Sequence, residues 1–191
     1  MSRFVRTGRV VPRPAAAALF ARLRRRGVRL AFTNGCFDLL HVGHVTLLEK
    51  ARALGDALVV GVNSDRSVRR LKGAGRPIVP LHERMELLAG LRPVDYVVPF
   101  AEDTPARIID EVRPAVLVKG GDYRASEIVG RATVEAGGGR VVRVPLRKGR
   151  STSDLIARAR LAVADARAGR PRGAVSGRPR AARGRAAGRR R

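Results

Sequence analysis

Short apolar runs alternate along most of the chain with stretches whose apolar residues recur every three to four positions. The runs are VRLAFTNG (28–35), DALVVGVNSD (56–65), VDYVVPF (94–100), AVLVKGGD (115–122) and RVVRVP (140–145). They are nearly continuous rather than alternating, which predicts strands covered on both faces. Helices are expected between and around them: PAAAALFARLRRRG (14–27), VGHVTLLEKARALG (42–55), LHERMELLAGLR (81–92), TPARIIDEVRP (104–114), SEIVGRATVEAGG (126–138) and STSDLIARARLAVADARA (151–168). Pro14 and Gly27 mark the ends of the first helix. Thr104 is expected to cap the fourth, with Pro105 near its first position.

Strand and helix in this alternation predict an α/β fold, a Rossmann-like doubly wound parallel sheet with helices on both faces. The expected organisation is an N-terminal helical extension over 1–27, one domain over 28–166 and a separate tail over 167–191. In such sheets ligands bind beyond the carboxyl ends of the strands. Those ends carry polar clusters here: TNGCFD, VNSD, AED and VKGGDY.

The stretch TNGCFDLLHVGH (33–44) holds two of the three histidines in the chain. Gly35 lets the chain turn and a ligand approach the backbone. His41 and His44, three apart on one helical turn, share a face, and Gly43 between them leaves that face open. A helix start presents unpaired N–H groups and partial positive charge to an anion. Two imidazole donors at such a place suit charge that develops on a phosphate during a displacement. Metal ligation competes as a reading, but Cys36 is a lone cysteine and no HExxH pattern supplies a third ligand. A purely structural histidine pair also competes. Neither the Walker pattern nor the dinucleotide glycine pattern occurs, which disfavours a P-loop ATPase and a Rossmann dehydrogenase.

Charge changes the picture mainly at the ends. The chain carries 40 basic and 16 acidic residues, a formal +24. Residues 1–30 hold nine Arg and no acid, and residues 167–191 hold ten Arg and no acid. The body between therefore keeps 21 basic residues and all 16 acids, about +5 net. The tail is rich in Arg, Gly, Ala and Pro and poor in bulky apolar residues, so disorder is expected there. Its charge allows a weak non-specific contact with nucleic acid, although it has no aromatic to stack on bases. One cysteine suits a reducing compartment. No apolar run reaches the roughly 18 residues of a membrane span, and the N-terminus does not read as a signal peptide. A cytoplasmic location without membrane attachment is expected.

Lysines stand out in a chain that prefers arginine: Lys50, Lys72, Lys119 and Lys148 are all there are. Lys72, in a Gly-flanked stretch after VNSD, is placed to reach a phosphate, with Arg76 assisting. Lys119 ends a strand just before Gly120, Gly121 and Asp122, where backbone approach to a base or sugar is open. Asp122 either bonds ligand hydroxyls or caps a turn. Ser151 and Asp154 have capping-box spacing. Lys50 and Lys148 read as peripheral.

GCFDLLHVGH resembles the GxFDxxHxGH signature of the nucleotidyltransferase superfamily that includes cytidylyltransferases and pantetheine-phosphate adenylyltransferase. NSD…LKG…RP, VKGGDY and STSDLI narrow the resemblance to the heptose 1-phosphate adenylyltransferases, over roughly residues 28–165. That activity is often the carboxyl-terminal half of a bifunctional kinase/adenylyltransferase; a stand-alone transferase is expected here. The resemblance implies AMP transfer from ATP to a sugar 1-phosphate, with release of pyrophosphate. His41, His44 and Lys72 would then be catalytic. Asn34, Gly35, Cys36, Phe37, Lys119, Gly121, Asp122, Ser151, Thr152 and Ser153 would contact the nucleotide, and Asp38, Asp65 and Arg76 the sugar phosphate. Mg²⁺ is expected only as the companion of ATP, with no metal site in the protein. A homodimer is what the family suggests. The alternatives are a cytidylyltransferase acting on glycerol 3-phosphate or a similar alcohol phosphate, and a non-catalytic nucleotide- or nucleic-acid-binding protein.

Overall fold

Among the described residues six strands lie parallel in one sheet. They are β1 (Arg9–Val10), β2 (Leu30–Gly35), β3 (Ala57–Asn63), β4 (Tyr96–Phe100), β5 (Val116–Gly120) and β6 (Arg140–Val144). The order across the sheet is β1-β4-β3-β2-β5-β6. The chain therefore runs outward from β2 to β3 and β4, then crosses back to β5 and β6. The reversal falls between β2 and β5, the place where open α/β sheets bind ligands. The coordinates are a computed structural model that describes residues 8–121, 127–145 and 152–167.

Alternate residues of each strand feed two apolar layers. Leu30, Phe32, Val59, Val98 and Leu117 join Phe20, Ile108, Ile109 and Val134 on one face. Ala31, Leu58, Val60, Val62, Val97, Val116 and Val118 join Leu47, Leu48, Ala51 and Leu88 on the other. Helices α1 (Arg13–Arg25), α5 (Ala106–Val112) and α6 (Arg131–Ala136) cover the first face. Helices α2 (Val42–Arg52) and α4 (Leu81–Ala89) cover the second. Strands buried on both sides account for the continuous apolar runs, and the doubly wound sheet agrees with the expected fold.

Three local features differ from the sequence expectation. Residues 65–72 form a helix, α3 (Asp65–Lys72), where the pattern shows only a strand end and a loop. Ser64 caps it by accepting from the N–H of Ser67 at 3.2 Å. Only Ser67 and Val68 are buried in it, so it has no apolar stripe to read. The cap of α5 is Pro105, without a side-chain hydrogen bond, and not Thr104. Residues 8–25 are more than an extension: β1 pairs with β4 at the sheet edge, and α1 buries Ala16 and Phe20 in the core.

The chain divides into two units, Met1–Leu155 and Ile156–Arg191. In the second, residues 156–167 continue α7 (Thr152–Arg167) with no buried residue. Of the tail expected to be disordered, Arg167 ends α7 and residues 168–191 lie outside the described residues. No helix among them is long and apolar enough to cross a membrane.

Candidate active site

The carboxyl end of β2 turns through Asn34 and Gly35 into the segment leading to α2. Asn34 needs room beside it, and Gly61 on β3 is its direct partner in register. A Cβ at Gly61 would lie 2.8 Å from the Phe32 ring and 3.2 Å from the Asn34 Cβ. Beyond Gly35, Phe37 adopts a left-handed conformation with φ 46°. Such a conformation is costly for a bulky residue, of the order of 1 kcal/mol or more, and persists where its surroundings impose it. It drops the Phe37 ring into the core, 5.1 Å from the His44 ring. Phe37, expected at the nucleotide, thus seats His44 with its ring.

His41 is the N-cap of α2. Its Nδ1 accepts from the N–H of Gly43 at 3.1 Å, a task usually performed by Ser, Thr, Asp or Asn. An Nδ1 that accepts is unprotonated, which leaves Nε2–H as the ring's donor. The His44 ring stacks on it, with centroids 3.8 Å apart and planes at 23°. Burial lowers the pKa of His41, against an opposing pull from Asp154 in the first turn of α7. Burial, with a smaller contribution from His41, lowers His44 to about 4. Both rings are therefore neutral at pH 7 and donate as imidazoles. His44 Nδ1 is buried without a hydrogen-bond partner among the described residues.

Across the switch point, Lys119 at the end of β5 donates from Nζ to Asn34 Oδ1. Desolvation lowers its pKa to about 8, so it keeps its charge at neutral pH. Among the described residues a neutral amide is its hydrogen-bond partner. A cation paired in this way favours the arrival of an anion. Two residues on, Gly121, at φ 110°, donates its N–H to Val144 O of β6 at 3.0 Å, at the end of the β5–β6 pairing.

The residues expected at the sugar phosphate are engaged within the protein, Asp38 with Arg76 and Asp65 with Arg84. Asp38 is buried, and its carboxylate accepts from the N–H groups of Ile78 at 2.8 Å and Val79 at 2.9 Å and from the Arg76 guanidinium. Burial works against its charge, but these donors more than offset it and hold its pKa below the ordinary carboxylate value. Asp38 and Arg76 thus fasten residues 76–79 to the loop after β2. Asp65, in the first turn of α3, pairs through Oδ1 with Arg84 at 2.8 Å. Lys72 is the exposed last residue of α3 rather than part of a loop, and its charge reaches the Cys36 thiol. Burial raises the pKa of Cys36 nonetheless, so the thiol is unreactive at neutral pH.

Thr152 Oγ1 donates to Leu39 O at 3.1 Å, which ties the start of α7 to the histidine loop. Ser153 follows it on the exposed side of the helix. Ser151 and Asp122 lie outside the described residues. Arg84, wholly buried on α4, carries no signal in a single sequence: it sits in a helical pattern as one arginine among many.

A doubly wound sheet with neutral imidazoles at a helix start on one side of its switch point and a lysine on the other defines an α/β domain built to meet a nucleotide's phosphates. The chain belongs to the cytidylyltransferase-like family, whose model matches residues 32–158, and so to the nucleotidyltransferase class of enzymes. It is 56% identical over 151 residues to the Bifunctional protein HldE of Halorhodospira halophila, covering 79% of this chain and 32% of that protein. It is 58% identical over 135 residues to that of Syntrophotalea carbinolica, covering 71% and 28%. The chain thus spans about a third of the length of these relatives. Among solved structures, the lipopolysaccharide core biosynthesis protein from Thermoplasma volcanium is 31% identical, with a TM-score of 0.53, covering 64% of this chain and 98% of that one. Pantothenate synthetase from Thermus thermophilus, at 22% identity and a TM-score of 0.52, covers 72% and 61% and shares the fold.

Proposed function

We propose that this protein transfers AMP from ATP to a heptose 1-phosphate, giving ADP-heptose and pyrophosphate. The observation that carries the reading is the stacked pair His41 and His44, neutral and at a helix start beside the sheet's switch point. The sugar is supported by VKGGDY and NSD…LKG…RP and by the identity to the HldE proteins.

In this reading an oxygen of the sugar phosphate attacks the α-phosphorus in line as the bond to pyrophosphate breaks. Catalysis is then positioning and charge stabilisation, with no covalent intermediate on the protein. The Nε2–H of His41 and the ring of His44 donate to phosphate oxygens as negative charge builds there. Lys119 balances charge from the β5 side, and Lys72 approaches from the end of α3. The backbone at Asn34, Gly35 and Gly121 lines the base and ribose. Residues 151–153 meet the phosphates at the start of α7. Among the described residues no three His, Cys, Asp or Glu side chains converge as a metal site. Mg²⁺ would arrive with ATP, held by phosphate oxygens and water. A homodimer in the cytoplasm belongs to the same proposal, and light scattering in solution tests the assembly.

The test is pyrophosphate release with ATP or CTP against heptose 1-phosphate, other sugar 1-phosphates and glycerol 3-phosphate. ATP with heptose 1-phosphate is expected to give the highest kcat/KM. Turnover of CTP with glycerol 3-phosphate alone would replace this reading with a cytidylyltransferase. A salt-dependent shift with DNA and no pyrophosphate would point to a binding protein.

A further inference from the structure

Arg84 is a fully buried arginine whose hydrogen bonds reach three separate segments of the catalytic edge. Its guanidinium donates to Val79 O at 2.9 Å, to Asn63 O at 2.8 Å, to Cys36 O and to Asp65 Oδ1 at 2.8 Å. Cys36 belongs to the loop that delivers His41. Asn63 ends β3, and Asp65 opens the helix that ends in Lys72. Val79 lies in the segment that carries Arg76. Asp38 stitches the same parts in the opposite sense, a carboxylate accepting from backbone N–H groups of Ile78 and Val79.

A buried guanidinium is expensive to desolvate, and one carboxylate offsets only part of that cost. Three carbonyls in a fork geometry take three of the four remaining donors, which a point-charged lysine cannot reproduce. An apolar side chain there would leave Asp65 and the three carbonyls without these donors, so the arginine both satisfies buried acceptors and ties their segments together. We infer that Arg84 is a positioning residue for the transfer reaction, holding the histidine loop, the end of β3 and the segment 76–79 in one register through their backbone carbonyls. It touches no substrate. This rests on the transfer reaction proposed above.

The experiment measures kcat and KM for ATP in R84K and R84A, beside thermal melts. Phe20→Leu, on the opposite face of the sheet, serves as a core variant with a comparable loss of Tm. R84K is expected to fold and to lose about 10²-fold in kcat, the order set by ångström-scale misplacement of reacting groups. Its KM for ATP should change far less. F20L should keep its kcat at a temperature where it is folded. Guanidinium chloride below denaturing concentration should recover part of the kcat of R84A, and equal sodium chloride should not. If no Arg84 variant folds, D65N removes one anchor while keeping the arginine and should still lower kcat severalfold. Wild-type kcat in R84K, or in D65N where it stands in, overturns the inference, as does an equal kcat loss in F20L. A wild-type chain that releases no pyrophosphate with any pair in the panel overturns the reaction itself. Full wild-type activity with unaffected variants overturns only the role of Arg84.

Discussion

The two loops that flank the switch point are held in opposite ways. On the β2 side several buried polar side chains are engaged inside the protein, while Thr33 Oγ1 and His44 Nδ1 have no partner among the described residues. Asp38 is surrounded by N–H donors, Arg84 by carbonyls and a carboxylate, and His41 caps its own helix. On the β5 side Lys119 keeps its charge and, among the described residues, donates to a neutral amide. The first side is cross-linked by these hydrogen bonds before any ligand arrives. Preorganised donors opposite a desolvated cation suit the stabilisation of a bound polyanion.

The comparison breaks most severely at the histidines. H41A and H44A are each expected to lower kcat by about 10²–10³-fold with the fold intact, measured by pyrophosphate release and circular dichroism. Near-normal turnover in either would remove the cross-linked side from the chemistry.

Asp38→Asn is next. It keeps the shape but leaves Arg76 and two backbone N–H groups facing a neutral amide in a buried place. Stability in urea should fall by about 3 kcal/mol, the usual cost of breaking a buried ion pair. A loss under about 1 kcal/mol would mean that the stitching is slack.

The pH dependence sharpens the same contrast. His44 has a folded pKa of about 4 against 6.5 for an ordinary histidine, so the unfolded chain binds the proton first. Its contribution is complete above pH 6.5 and is lost as the pH falls toward 4, by up to about 3 kcal/mol. H44Q should lack that slope in unfolding experiments at pH 4 to 7.

Lys119→Met gives the smallest effect. It removes a desolvated cation, so the ligand-free protein should be no less stable, while ATP binding weakens by about tenfold, as for one charge-assisted hydrogen bond. In the parent chain stability should also rise with pH from about 8 toward 10.5, since the unfolded lysine keeps its proton longer. The variant should not show that rise. Titration calorimetry and pH-dependent melts read both.

The strands were legible because burial on both faces writes a continuous apolar run, as in ALVVGVN over β3. The histidine motif was legible because its spacing is local. Residue roles that depend on distant partners were not. Nothing near Asp38 or Arg76 in the chain announces that they pair across 38 positions. Arg84 looks like any helical arginine until α4 turns it under the sheet end. Helix α3 escaped because its charged residues carry no apolar period, and β1 because two residues are too short to show one.

With three histidines in the chain, the imidazole resonances offer the most direct test of the central claim. His82 is exposed on α4 and provides an internal reference. In ligand-free protein His44 should stay neutral down to about pH 4 and His41 should carry its proton on Nε2. Addition of a non-hydrolysable ATP analogue should shift the Nε2–H signal of His41 and the ring signals of His44 while His82 stays in place. Saturating nucleotide that leaves both of those signals unmoved would contradict the account.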